Sequence, residues 1–177
     1  MMGIKDSCPE DEQADTFIIP AYVDFLLENK FFGNKTKKGY YEKTKGADGK
    51  TVINALRLDT LTYEPVGKVK FPSLEEANQK EKLADKIRTF LKHDDKGAQL
   101  VKRSLAGLFA YVSNRVPEIS DNLYSVDDAL RAGFAWEIGP FEYWDIIGVE
   151  KGIELAKAEG LEISEWVKDL AASSDKP

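Results

Sequence analysis

The sequence predicts a mainly α-helical protein with a small β-hairpin near residues 51–64. Three observations support this prediction. Apolar residues recur three or four positions apart, most regularly between Val101 and Leu123, which is the spacing of one helix face. Helix start and stop signals such as Gly139-Pro140 and Gly160 separate these stretches. Partial alternation of apolar and polar residues, which is typical of strands, marks residues 51–64.

The composition narrows the class of protein. The chain has 177 residues, enough for one domain or two small ones, and its 25 basic and 31 acidic side chains give a net charge of −6. This acidic balance argues against nucleic-acid binding. No apolar run reaches the roughly 18 residues of a membrane helix, and no signal-peptide pattern is visible. One cysteine and one histidine cannot supply a disulfide or a zinc site, so we expect no metal and a cytoplasmic location.

The first part of the chain is predicted to contain a tail, one helix and the hairpin. Residues 1–16 are acidic and poor in large apolar side chains, which is typical of a mobile tail. A helix should begin near Pro20, since proline is tolerated in a first turn, and it should end before Gly33. Residues 33–41 then form a turn that leads into an extended segment. The hairpin pairs residues 51–58 with the segment that follows.

From residue 72 onward the sequence predicts a series of helices. Ser73-Leu74-Glu75-Glu76 has the capping-box pattern, which predicts a helix from Ser73 to about Leu91. The segment His93-Asp94-Asp95 should end this helix and cap the next one. Pro117 lies within the apolar stripe of that next helix and should kink or split it.

Three further helices are predicted after this one, and a fourth closes the chain. Ser125-Val126-Asp127-Asp128 has the pattern of an N-cap followed by first-turn acids. Gly139-Pro140 should open the next helix, and residues 149–159 form another before Gly160. Ser164 should cap the last helix, which extends to residue 172. The residues predicted to face inward in these helices are Phe141, Trp144, Ile147, Trp166, Val167 and Leu170.

Two groups of residues could carry chemistry, and each also has a structural interpretation. The loop Gly33–Gly39 could hold a phosphate, or it could be a turn that exposes lysines, since it lacks the spacings of the known phosphate-binding loops. A group of acids among aromatic residues could act as a glycosidase-like acid and base, or it could complement helix dipoles beside a core. The acids are Asp127, Asp128, Glu137, Glu142 and Asp145.

Two single residues complete the candidates. Asn114 shares a helix face with Gly107, where a glycine would allow another group to approach closely, or this face is solvated. His93 follows a helix end, where a cation is favourable, and this gives it a structural role. The residues alone therefore form no complete catalytic constellation.

Three segments carry a resemblance to a known family. Residues 127–133 have the pattern D-x-A-x-x-x-G, and residues 139–148 have G-P-F-E-x-x-D-x-x-G. Tyr111–Val116 is similar to an F-x-x-N-R helix. Residues 35–41 are similar to K-T-G-x-G-F-Y, with Lys37 in place of glycine and tyrosine in place of phenylalanine. Together these segments resemble the helical C-terminal region of 3-hydroxyacyl-CoA dehydrogenases.

The order of these motifs implies a domain organisation. In this family the K-T-G-x-G-F-Y motif ends a helical domain, and here it precedes the other motifs. The resemblance therefore implies the end of a first helical domain at residues 17–48, a linker with short strands at 49–72, and a second helical domain at 73–177. The implied fold is that of the C-terminal domain of 6-phosphogluconate dehydrogenase. Long dehydrogenases fused to an enoyl-CoA hydratase have this arrangement, and the chain would be a middle piece of one.

The resemblance also implies a function. The family oxidises 3-hydroxyacyl-CoA to 3-oxoacyl-CoA with NAD in fatty-acid β-oxidation. NAD and the catalytic His–Glu pair would lie in a missing dinucleotide-binding domain, so this chain should bind no cofactor and should be inactive alone. Asn114 is the counterpart of the asparagine that helps to hold the substrate oxygen. The family domain also mediates dimerisation, which implies either a homodimer or two helical domains of one chain that pack on each other and mimic the dimer. The alternative is a stand-alone helical protein-interaction module with the same fold.

Overall fold

The computed structural model describes residues 6–11, 13–67 and 69–173, and the chain divides into two compact units between residues 68 and 69. The structure is mainly helical with one small antiparallel sheet, as predicted. The predicted tail and the end of the predicted second domain lie partly outside the described residues. No helix of the described part is long and apolar enough to cross a membrane. The domain boundaries after residues 16, 48 and 72 stay predictions.

The first unit combines a helix with a three-stranded sheet. Helix α1 follows Pro20, as predicted, and its Leu26 is buried. The strand order is β1-β2-β3, with Tyr41 opposite Ala55 and Leu56 opposite Tyr63. The predicted hairpin is therefore confirmed as β2–β3, and the extended segment after the lysine-rich turn is β1. The ranges are Ala21–Glu28 for α1, Tyr41–Lys45 for β1, Thr51–Leu56 for β2 and Tyr63–Pro65 for β3.

The second unit begins with two short helices where one long helix was predicted. Helix α2 spans Pro72–Ala77 and α3 spans Leu83–Leu91. The predicted capping box at Ser73 is wrong, because its hydroxyl and its backbone N–H both donate to the carboxylate of Asp95, at 2.8 and 2.9 Å. The Glu76 side chain likewise binds a histidine that follows α3. Hydrogen bonds to residues more distant in the sequence therefore replace the local pairing that a capping box requires.

Helix α4, Lys96–Ile119, is the longest element of the described structure. Asp95 caps it as predicted, since its carboxylate accepts two backbone N–H groups of the first turn at 2.9 and 3.1 Å. The helix continues through Pro117, so of the two predicted outcomes the split is wrong and the kink stays a prediction. Proline has no N–H for the carbonyl of Ser113 four residues earlier. That carbonyl instead accepts the indole N–H of Trp166 at 2.9 Å.

Helices α5 and α6 contain the longest of the motifs. Helix α5 spans Leu123–Phe134 and α6 spans Pro140–Ile147. The predicted cap at Ser125 is wrong, because Asn122 is the N-cap and its side-chain oxygen accepts the Ser125 N–H at 2.9 Å. Asp127 therefore does not lie in the first turn, and its side chain is buried. Helix α6 begins and ends at the predicted proline and glycine.

Helices α7, Val149–Ala158, and α8, Glu165–Ser173, complete the second unit. The inward orientation predicted for Leu170 is wrong, since this residue is 47% exposed. Val167 is buried and Trp166 packs against the core, as predicted. The core of the second unit combines the inner face of α4 with stacked aromatic rings and with residues of α6, α7 and α8. Its members include Leu105, Phe109, Val112, Val116, Phe141, Trp144, Leu155 and Val167.

Candidate functional site

The G-P-F-E segment forms a hydrogen-bonded joint between α5 and α6. Asp127 accepts the backbone N–H of Phe141 at 2.9 Å. Glu142 accepts the backbone N–H of Gly139 at 2.6 Å and also binds the guanidinium of Arg131. Each carboxylate therefore satisfies a backbone donor at the start of α6, where helix N–H groups have no partner within the helix.

Two glycines of the same motif have steric reasons for their presence. A Cβ atom on Gly139 would lie 2.3 Å from Oδ1 of Asp127, so no side chain fits there. Gly148, which ends α6, has a φ of 90°, which L-amino acids rarely adopt. Gly139, Glu142 and Gly148 are thus fixed positions of the motif that this joint needs for its structure.

The two carboxylates of the joint differ in their electrostatics. Burial raises the pKa of Asp127 above its ordinary value, since this residue is 6% exposed. The Gly139 N–H, together with Arg131, lowers the pKa of Glu142. Both carboxylates accept hydrogen bonds from backbone N–H groups. These hydrogen bonds support a structural role for the two acids and not a role as a catalytic acid and base.

Asp128, Glu137 and Asp145 are the other acids that the sequence singled out, and none of them completes a catalytic pair at the joint. Asp128 forms an ion pair with Arg131 one turn further along α5. Glu137 and Asp145 are exposed. In the part of the chain that the structure describes, no group of three or more His, Cys, Asp and Glu side chains could hold a metal ion.

Asn114 lies half-buried on α4 and attaches this helix to the segment before α8. Its Nδ2 donates to the carbonyl of Ala110 at 3.0 Å and to the carbonyl of Glu162 at 3.1 Å. The neighbouring Ser113 hydroxyl accepts the N–H of Ser164 at 3.3 Å. Both hydrogens of the Asn114 amide are therefore engaged, and Oδ1 is the atom that could accept a hydrogen bond from a ligand. Its contact with substrate stays a prediction.

The remaining sequence candidates are His93, which has a structural role, and Gly107, which has no close neighbour. His93 Nε2 lies 2.8 Å from Glu76 Oε2, and the His93 carbonyl accepts a hydrogen bond from Lys102 at 2.6 Å. The hydrogen bond from His93 lowers the pKa of Glu76. A Cβ atom on Gly107 would meet no heavy atom within 4 Å in the described structure, so the close approach considered there does not occur.

The first unit has an open cavity of about 1250 Å³ beside its sheet. The turn at Gly33–Lys37 and exposed residues of β1 and β2, including Tyr41, Lys43 and Ile53, line it. The sequence predicted the turn and its exposed lysines. It gave no signal for the cavity, because the cavity depends on the pairing of β1 with β2.

The second unit has two apolar grooves along α4. One, of about 740 Å³, is bordered by α2, α3 and α4, and the other, of about 420 Å³, lies between α4 and α5. Leu108 and Trp136 line both. The apolar stripe that begins at Val101 lies along α4, but its Ile119 is 62% exposed. Spacing alone does not show which part of a stripe another helix covers.

In comparisons with known proteins, the chain matches parts of longer proteins. It is 32% identical over 168 residues, 95% of its length, to a Bacillus subtilis (strain 168) protein named "Probable 3-hydroxyacyl-CoA dehydrogenase", and it spans 20% of that protein. It is 28% identical over 68% of its length to a Rickettsia felis protein whose name describes a "fatty acid oxidation complex trifunctional enzyme", of which it spans 15%. A Rickettsia prowazekii protein of the same description is 26% identical over 67% of the chain. No family model matches the chain, and no solved structure matches it.

The chain is mainly helical, and its G-P-F-E segment forms the joint between α5 and α6. Its sequence has no glycine-rich loop of the kind that binds dinucleotides. The similarity over 95% of the chain then confirms the resemblance inferred from the motifs. The chain is similar, over 95% of its length, to a protein named as a 3-hydroxyacyl-CoA dehydrogenase, and it spans about one fifth of the length of that Bacillus protein.

Proposed function

We propose that this chain is the helical part of an NAD-dependent 3-hydroxyacyl-CoA dehydrogenase of fatty-acid oxidation. The observation that carries the proposal is the similarity over 95% of the chain to the Bacillus relative. The joint at Asp127, Gly139 and Glu142 supports it, because the family motif occupies the positions that this joint requires. Cytoplasmic location and homodimer formation are parts of the same proposal.

The described residues do not fit NAD itself. Dinucleotide sites are built on a strand, a glycine-rich turn and a helix within a parallel sheet. The sheet here is antiparallel, and the sequence has no G-x-G-x-x-G. We therefore place NAD and the hydride transfer in another part of the longer protein, and the isolated chain should not turn over substrate.

Asn114 is the one residue of this chain to which we assign a contact with the reacting group. Its amide plane is fixed by hydrogen bonds to Ala110 and Glu162, which leaves Oδ1 as an acceptor. An acceptor can bind the 3-hydroxyl of the reduced substrate, but it cannot donate to the 3-oxo group of the product. Asn114 would thus favour the reduced substrate.

A chimera tests the proposal. The corresponding 168-residue segment of the Bacillus relative is replaced by the same segment of this chain, and oxidation of 3-hydroxybutyryl-CoA with NAD is followed through NADH absorbance. We expect the chimera and the Bacillus protein to be active, and the isolated chain to be inactive. Absence of dehydrogenase activity from the Bacillus protein, or a folded but inactive chimera, would contradict the proposal. Activity of the isolated chain would contradict the assignment of the chemistry to other domains.

The same chimera examines Asn114. The substitution Asn114→Ala should lower kcat/KM for 3-hydroxybutyryl-CoA by about tenfold, the equivalent of one hydrogen bond of about 1.4 kcal/mol. Its control is Asn122→Ala, which removes the cap of α5. Equal loss in both variants would assign Asn114 a purely structural role.

The alternative is a stand-alone helical protein-interaction module, and the apolar grooves along α4 favour it. Grooves of this type can accept an amphipathic helix. A module would bind a partner peptide but would not replace the corresponding segment in an active dehydrogenase. The chimera therefore separates the two functions.

A further inference from the structure

The lysine-rich turn and β1 form a positively charged segment in an acidic chain. Residues 30–50 contain seven lysines and two acids, so their net charge is 7 − 2 = +5, whereas the whole chain carries −6. The two acids are already paired, since Glu42 binds Lys38 at 2.8 Å and Asp48 binds Lys50 at 3.4 Å. The positive charge of the remaining lysines is therefore not neutralised by acids of this segment.

Two of these lysines border the open cavity of the first unit. Lys37 lies at the end of the turn and Lys43 in β1, and both are exposed. Neither forms an ion pair within the described residues. Lys37 has a φ of 62°, an uncommon conformation for a residue with a side chain.

Aromatic side chains stand beside these charges. Tyr41 and Lys43 are two residues apart in β1, so they point to the same face of the sheet. Tyr41 lies opposite the small residue Ala55, and Tyr41 is 63% exposed. Tyr40, 47% exposed, has its ring packed edge-on against Tyr22 at 6.2 Å. This surface therefore offers aromatic faces for stacking next to lysines for anionic groups.

We propose that this surface binds the phosphorylated adenosine head of coenzyme A, and the choice of this nucleotide rests on the proposed function. The adenine would stack on Tyr41, and Lys37 and Lys43 would bind the phosphates. A phosphomonoester carries about −1.5 to −2 charges at pH 7, so the 3′-phosphate of coenzyme A makes it a strong ligand for lysines. The cavity of about 1250 Å³ is larger than the roughly 300–1,000 Å³ of common ligand pockets, and coenzyme A is a long ligand.

The surface has the features of a nucleotide site but not those of a nucleic-acid channel. Domains that bind nucleic acids are commonly basic as a whole, whereas this chain carries a net charge of −6. Here the lysines are concentrated at one turn and one strand. The acyl chain of a bound thioester is not part of this proposal, since it concerns the nucleotide end alone.

Calorimetric titration of the 177-residue chain tests the site. The ligands are coenzyme A, dephospho-coenzyme A, NADH and a single-stranded RNA, each at the same ionic strength. We expect binding of coenzyme A that weakens as salt increases, and weaker binding of dephospho-coenzyme A and NADH, which lack the 3′-phosphate. No binding of coenzyme A at millimolar concentration would overturn the inference. Equal binding of all three nucleotides, or tighter binding of RNA, would overturn it as well.

Charge removal then locates the site. The double variant Lys37→Gln, Lys43→Gln should bind coenzyme A roughly tenfold more weakly, since each exposed ion pair contributes a modest part of the affinity. The control is Lys157→Gln, an exposed lysine of α7 in the other unit. Unchanged binding by the double variant, with circular dichroism that shows native structure, would overturn the inference. Tyr41→Leu should weaken the binding without altering its salt dependence.

The results distinguish this inference from the proposed function. An active chimera together with a chain that does not bind coenzyme A would overturn the nucleotide site and leave the dehydrogenase assignment intact. Binding of coenzyme A at Lys37 and Lys43 together with an inactive, folded chimera would overturn the dehydrogenase assignment and leave the nucleotide site intact.

Discussion

The core of the second unit has no room for a side chain at position 152, where the residue is Gly152. It lies in α7 beneath Trp144, whose indole N–H donates to the carbonyl of Val149 at 3.2 Å. A Cβ atom on Gly152 would lie 1.9 Å from the indole nitrogen. We expect Gly152→Ala to displace this ring and to lower the free energy of unfolding by roughly 1–3 kcal/mol. Urea denaturation measured by circular dichroism provides the value.

Gly107 in α4 supplies the control for this substitution. A Cβ atom there would meet no heavy atom within 4 Å. Because glycine is unfavourable within a helix, Gly107→Ala should raise the free energy of unfolding by about 0.5–1 kcal/mol. The two substitutions are thus expected to change the free energy of unfolding in opposite directions, and destabilisation of the same size in both variants would contradict this explanation.

Glu142 makes the stability of the joint depend on pH. The N–H of Gly139, together with Arg131, holds the pKa of Glu142 below its ordinary value of 4.5. A lowered pKa means that the unfolded chain binds the proton more tightly, so this stabilisation is present above about pH 4.5 and is lost as the pH falls through the lowered pKa. Because the side chain is 39% exposed, the effect should remain below about 1 kcal/mol.

The substitution Glu142→Gln isolates this contribution. The variant should be less stable than the original chain at pH 7, and the difference should shrink as the pH is lowered from 5 towards 3. Urea denaturation at several pH values measures it. Burial raises the pKa of Asp127, which contributes to the pH dependence in the opposite direction. This burial is the same in both proteins, whereas the repulsion between Asp127 and the Glu142 charge, a smaller cause of the raised pKa, is absent from the variant. A difference that stays constant with pH would contradict the role of the Glu142 charge.

At the scale of elements, α4 and α8 are joined through the backbone group that Pro117 leaves without a helical partner. The carbonyl of Ser113 accepts the indole N–H of Trp166 at 2.9 Å. Phenylalanine at position 166 would keep an aromatic ring but remove this donor. We expect Trp166→Phe to cost about 1–3 kcal/mol of stability. In a Pro117→Ala background the new backbone N–H can bond to Ser113, so the cost should be smaller there. Strictly additive costs in the double-mutant cycle would contradict this coupling.

The boundaries of these elements show what the sequence could and could not predict. The start of α6 at Gly139-Pro140 and the cap of α4 at Asp95 were predicted, because the groups that form them are neighbours in sequence. The caps expected at Ser73 and Ser125 were wrong. The hydroxyl of Ser73 binds Asp95, and Asn122 takes the capping role before Ser125. Local patterns do not reveal a competing partner.

At the scale of the whole molecule, the fold class and the resemblance to 3-hydroxyacyl-CoA dehydrogenases were predictable, whereas the surfaces were not. The resemblance rests on an irregular run of fixed residues, which chance rarely produces, and the similarity to the Bacillus protein confirms it. The cavity beside β1 and the grooves along α4 arise from elements that meet in space. Lysines could be counted in the sequence, but only the strand register places Tyr41 opposite the small side chain of Ala55.

The division into two units predicts that residues 69–177 fold without the first unit. Their core is formed by their own residues, including Phe109, Phe141 and Trp144. All three tryptophans of the chain, at positions 136, 144 and 166, lie in this segment, so tryptophan fluorescence reports on it alone. We expect the segment 69–177 to unfold in urea in one cooperative transition, with coincident curves from fluorescence and far-ultraviolet circular dichroism. Gradual or separate curves would mean that its core requires residues 1–68, and that the boundary between the units is not a boundary of folding.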